Sequence, residues 1–198
     1  LNRTARFKAL YAIAIGAAAV IAVAIVTQHR TDLWLLLLIA AAFLLPGRVQ
    51  GVYYRDLFRG RRLHDSGHSA EAVVCFERFL ATLKATPWIR HLLWLSFSVY
   101  TPNVEAMALN NLGAALLDLG KFEESERSLE SAIVIDPHYP LPFFNLAVLH
   151  SARGDRGMAE RAAAESSRLG FTGGTIDTVL LRAQSLLARL QGRGHAVR

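Results

Sequence analysis

The chain has 198 residues, of which 53% are hydrophobic and 19% charged, and its mean hydropathy is +0.28. That excludes a disordered chain, which lacks the apolar surface to offset the entropy of ordering. The single cysteine, Cys75, excludes an intramolecular disulfide framework and any multi-cysteine metal site. The net charge of +6 is uneven: residues 1–62 hold nine Lys/Arg against two acids, residues 63–198 thirteen against fourteen. The basic residues flank apolar runs, as they do around membrane segments. They form no stripe on the less apolar part, so a nucleic-acid partner is not expected.

Leu10–Val26 is uninterruptedly apolar, and between Phe7 and Thr27 the only charge is Lys8. With its flanks this run reaches the ~20 residues a helix needs to cross a ~30 Å hydrocarbon core. A polar break, Gln28 to Asp32, separates it from a second run, Leu33–Leu45, which ends at Pro46-Gly47 and carries Trp34 as an interfacial anchor. The two runs read as a transmembrane helical hairpin, with helices over about 7–27 and 31–46 in an anchor spanning 1–50. On length alone the second run also fits a buried or re-entrant segment. Arg3, Arg6 and Lys8 precede the hairpin, while Arg48, Arg55, Arg59, Arg61 and Arg62 follow it. The break holds only Arg30, so the positive-inside rule places both ends in the cytoplasm. Two other readings stay open. A cleaved signal peptide would use Ala22-Val23-Ala24, although the run exceeds the ~7–15 residues of a signal core. A single anchor would leave the remainder outside.

Residues 51–86 read as a first helix pair, with Gly60, Leu63, Gly67, Ala72 and Phe76 recurring 53 positions later as Gly113, Leu116, Gly120, Ser125 and Leu129. His64 and His68 stand four apart, but Gly67 predicts a turn between them, so two solvated loop histidines are expected rather than a metal site. Cys75, beside Val73, Val74 and Phe76, reads as a buried structural thiol. The stretch 87–105 contains PWIRHLLWLSFSVYTP and is aromatic but too short to cross a bilayer. Three placements fit it: on the bilayer interface through Trp88, Trp94 and Tyr100, packed inside the helical array, or as a partner-binding helix.

Residues 106–139 hold two helices. Leu109, Leu112, Leu116 and Leu119 share one side of the first, Gly120 ends it, and Asp136-Pro137 ends the second. Glu123, Glu124 and Glu126 read as a solvated first turn. Thirty-four residues further on, Leu109 becomes Phe143, Leu112 becomes Leu146, Gly113 becomes Ala147, Gly120 becomes Gly154 and Ser125 becomes Ala159. Residues 140–172 are therefore a further copy. Residues 173–198 form a capping helix over 175–190, N-capped by Thr175, and a tail.

This pattern resembles the tetratricopeptide repeat, whose consensus is W-x2-L-G-x2-Y, then A-x3-F, then P. Leu112-Gly113 and Pro137 match outright, while Leu109, Leu116, Ser125 and Leu129 are substitutions. The third copy puts His150 at the Tyr place and Phe171 at the terminal Pro place. The first copy departs at Asp56 and Arg59, on the Trp and Leu places.

The expected fold is all-α: the transmembrane hairpin read from the apolar runs, then a short α-solenoid, which the resemblance implies has first helices lining a concave, partner-binding surface. Asn111 and Asn145 are equivalent positions there, and an amide can pair with an extended peptide backbone. Arg61 and Asn110 are further candidates; the alternative is that the asparagines bond helix backbone. The carboxylate-clamp subclass is not expected, because only Asn111 matches its residue types. No phosphate loop or HExxH is present, so neither an enzyme nor a cofactor is expected. The expected role is a scaffold at the inner membrane that binds a protein or peptide, with lipid around its anchor. Self-association is a further expectation, three repeats being near the lower limit of a stable array. The alternatives are an exported secretion or cytochrome-maturation helper and a membrane-complex subunit that uses its hairpin as the interface.

Overall fold

The computed structural model describes residues 9–10, 13–14, 16–18, 20–24, 34, 37, 41, 48–95 and 100–195, with the side chains of 93–95 and 193–195 excepted. Among them no helix is long and apolar enough to cross a membrane. The hairpin expected over 7–27 and 31–46 falls largely outside the described residues. Those of its residues that are described are helical, and Leu10, Ile13, Val20, Ile21 and Val23 are 59–69% exposed.

From residue 48 onward the described chain is helical throughout. Helical residues 48–53 lead through a turn at Tyr54 into α1 (Arg55–Asp65), followed by α2 (Ser69–Ala85) and a 3-10 helix (Pro87–Leu95). Then come α3 (Val104–Asp118), α4 (Phe122–Ile135), α5 (Pro140–Ala152), α6 (Arg156–Arg168) and α7 (Ile176–His195). Within each pair, α1–α2, α3–α4 and α5–α6 pack side by side. The first helices also touch one another in sequence, α1 on α3 and α3 on α5, while α2, α4 and α6 share no comparable contact. The stack therefore curves with α1, α3 and α5 on its inner side.

Local chemistry accounts for the turns. The first helix of each pair ends at a glycine in the left-handed region: Gly67 (φ 82°), Gly120 (φ 74°) and Gly154 (φ 81°). Lys121 N–H then bonds back to Leu116 O at 3.0 Å, and Asp155 N–H to His150 O at 2.9 Å, satisfying carbonyls that the helix ends leave open. Asn103 caps α3 by accepting from Glu105 N–H and Ala106 N–H, and Asp155 caps α6 by accepting from Met158 N–H.

Small residues set how closely the paired helices approach. A Cβ on Gly113 would stand 2.6 Å from Leu129 Cγ, and one on Gly60 2.7 Å from the Phe76 ring. In the third pair the equivalent positions are Ala147 and Ala163, both buried in one cluster. Where the second pair sets a large residue against glycine, the third sets alanine against alanine, with two fewer side-chain carbons across the contact. Hydroxyls add fixed points. Ser125 Oγ donates to Gly113 O at 2.7 Å and Ser166 Oγ to Pro140 O at 2.9 Å, both buried. Cys75 is buried on α2.

The aromatic insertion packs partly inside the array. Ile89 is fully buried with Tyr54, Leu57 and Phe79, and Tyr54 Oη donates to Ile89 O at 2.8 Å. Trp88 stays 51% exposed beside Tyr53, ring centroids 5.0 Å apart.

Candidate functional site

The inner face is built on three helical stripes. On α3, Asn111, Ala114 and Asp118 follow i, i+3, i+7 spacing; on α5, Leu141, Asn145, Val148 and Ala152 continue the same pattern. Arg61 and His64 supply the α1 edge. Asn145 Nδ2 donates to Asn110 Oδ1 at 2.9 Å, tying α5 to α3, and Asn110 Nδ2 points to Asn111 Oδ1 at 3.5 Å. Asn110 is 3% exposed, so its amide is spent inside this link. Asn110 and Asn145 therefore bond one another across the helix pairs. Asn111 and Asn145 are only half-buried. Asn111 Nδ2 is itself buried and has no hydrogen-bond partner among the described residues.

Arg61 is exposed and lines an open recess with Gly51, Arg55, Phe58, Arg62 and Asp65. Its charge also reaches Tyr139, whose phenol burial pushes far above its ordinary range. Trp34 is 77% exposed. Tyr100 is half-buried and meets Phe171 edge-on at 5.9 Å, and Phe171 in turn meets Phe144 at 5.0 Å. The side chain of Trp94 lies outside the described residues.

Two features were not foreseen from sequence. First, α7 does more than cover the last repeat. It packs chiefly on α5 and less on α6, and Val179, Ala183 and Leu186 share a cluster with Val148 of α5 and Leu117 of α3. Val148 lies on the Asn145 stripe, so α7 covers one end of the inner face. Its far end is tied down where Arg189 Nη2 donates to Asp118 Oδ1 at 3.0 Å, while His64 Nε2 meets Asp118 Oδ2 at 2.9 Å. His64 is thus a half-buried helix residue and not the solvated loop histidine expected. Burial pushes the Asp118 carboxyl up. The His64 hydrogen bond and the charges of Arg189, His64 and Arg182 outweigh that and hold it below its ordinary 3.8.

Second, the glutamates of α4 are not merely solvated. Arg153, at the end of α5, donates to Glu126 at 2.6 Å and to Glu123 at 2.8 Å, with its guanidinium 5.8 Å from the Phe122 ring centroid. These contacts join adjacent helix pairs on the surface. The identities of the two glutamates were legible; their partner, 27 to 30 residues away, was not.

Residues 106–139 match a tetratricopeptide-repeat profile, and residues 140–165 match a second. The chain carries tetratricopeptide repeats. The repeats comprise α3–α4 and α5 with most of α6, so the Asn110–Asn145 link joins one repeat to the next. Such repeats generally mediate binding of protein partners, which supports a protein-interaction scaffold role. The pair α1–α2 lies outside the matched residues. No curated protein sequence matches the chain.

Proposed function

We propose that the chain is a membrane-tethered scaffold that holds a peptide or protein segment on the part of the inner face left open by α7. In this reading α1–α2 is a divergent first repeat, Asn111 and Asn145 meet the ligand backbone, and Asn110 positions Asn145. The scaffold role itself involves no chemical step. The observation that carries the partner-binding part is the pair of half-buried asparagines on equivalent turns of α3 and α5. Support for the tether comes from the exposed side chains of Leu10, Ile13, Val20, Ile21 and Val23, which cost free energy unless something apolar covers them.

The test uses the full chain in bacterial cells, with a photoreactive amino acid replacing Asn111 or Leu141. These positions should yield discrete protein adducts, whereas Val134, 80% exposed on α4, should not. Adducts from Val134 alone would move the partner to the outer face. For the tether, alkaline carbonate should leave the chain in the membrane pellet; release into the supernatant would refute it. A dual topology reporter fused after Arg198 should report the cytoplasm. An external signal would favour the exported reading.

A further inference from the structure

Arg48, Arg55, Arg59 and Arg62 follow steps of seven, four and three, so they project from one side of the helical stretch 48–65. Val52 lies in the same stripe and is 72% exposed. All four arginines are exposed, and neither they nor Arg61 pair with a carboxylate of a described residue. The contrast is with Arg90, Arg153, Arg156, Arg168 and Arg189, each of which holds an acid. Beside the stripe lies the recess of about 470 Å³, lined by Arg55, Arg61, Arg62, Phe58 and Gly51, with Asp65 its one acid. At the same end of the fold, Tyr53 and Trp88 expose an aromatic pair. The Tyr54 bond to Ile89 O and a Gln50 Nε2 bond to Leu92 O hold this pair in place.

Unpaired guanidinium groups beside exposed apolar and aromatic side chains suit a surface that offers phosphate oxygens above hydrocarbon. Chain geometry names that surface. Only Pro46 and Gly47 separate the apolar run ending at Leu45 from Arg48. Three residue steps reach at most about 11 Å. A bilayer that takes up the run therefore brings its headgroups to Arg48.

We infer that the arginine stripe and recess of α1 seat the phosphate headgroups of anionic phospholipids, laying this helix along the bilayer with Trp88 at the interface. The inference rests on the membrane-tethered reading. A cluster of this size immediately beside a membrane segment binds anionic lipid in a charge-dependent way.

The test uses the full chain with Trp34→Phe and Trp94→Phe, leaving Trp88 as the one tryptophan. It is reconstituted into vesicles of brominated phosphatidylcholine, with or without about a third of phosphatidylglycerol. Bromolipid should quench Trp88 more strongly in the anionic vesicles. Arg55→Gln with Arg59→Gln and Arg62→Gln should abolish the difference, and the same three changes to Lys should restore it. These side chains are exposed, and an unchanged helical circular dichroism spectrum would show that each variant folds. Equal quenching in both vesicles, with the chain still resistant to carbonate, would overturn the inference and leave the tether standing. A chain that carbonate strips from the vesicles would overturn both. Failure of the Lys variant to restore the difference, or a stripe that takes up an acidic protein or RNA in preference to anionic vesicles, would also overturn it.

Discussion

The arginines of α1 and those of α5–α6 sit on similar helices and live differently. Arg153, Arg156 and Arg168 each hold a glutamate while Arg161 meets Met158 Sδ, and Arg153 links two repeats through its pair. The α1 arginines hold no acid among the described residues, although α1 is built on the same glycine contact and left-handed turn as α3. One backbone geometry thus carries two surfaces. Where charges are paired, they brace one helix, as at Arg156 and Arg168, or fasten one helix to another, as at Arg153. Where they stand bare, the surface is free to bind something outside the fold. Among the inner-face asparagines, Asn110 is consumed in the link between repeats, while Asn111 keeps a buried Nδ2 with no hydrogen-bond partner among the described residues.

Changing the helix contact that the pairs share gives the largest expected effect. Gly113→Ala should destabilise the array by about 1–3 kcal/mol, since its Cβ meets the branch point of Leu129. Leu129→Ala alone should cost about 2–5 kcal/mol. Together they should cost less than their sum, because the double variant installs the alanine pair that residues 147 and 163 already use. Thermal denaturation of the four proteins measures this; strict additivity would contradict the coupling between positions 113 and 129.

Next in size is the asparagine link. Asn145→Ala leaves the buried Asn110 Oδ1 without a donor and should cost about 1–3 kcal/mol. Asn111→Ala removes a side chain with no close bond and should cost less. Chemical denaturation orders the two.

The smallest effect concerns α7. Asp118→Asn should lower stability by about 1 kcal/mol near neutral pH, the exposure of Arg189 limiting the loss. Because the folded carboxyl titrates below its ordinary 3.8, its stabilisation is complete above that value. It is lost as pH falls through the depressed folded value. The variant should therefore lose less stability than the wild type on acidification below about pH 4, as denaturant midpoints across that range would show. An equal acid loss in both would remove Asp118 from the account.

What was legible in the sequence was local. Gly120 and Gly154 announce their turns, Asp136-Pro137 ends α4 at Ile135, and the Gly113 spacing marks where two helices close in. These features depend on residues within one or two turns of each other. The site was less legible because its partners are remote. Asn110 and Asn111 are adjacent on a helix buried around most of its circumference, so periodicity does not say which turns inward. Arg189 reaches Asp118 across 71 positions. Phe171, on the place where the repeat usually has proline, turns back to Phe144 and Tyr100. No pattern within a single repeat encodes such contacts.

The central claim is that the bare face of α1 and the inner face of α3–α5 meet different partners. It is tested most directly by placing one photoreactive amino acid at Arg59 or at Asn111 in the full chain, irradiating intact cells and weighing the adducts. The account predicts phospholipid adducts from position 59 and protein adducts from position 111. Protein adducts from both positions, with no lipid at 59, would contradict it.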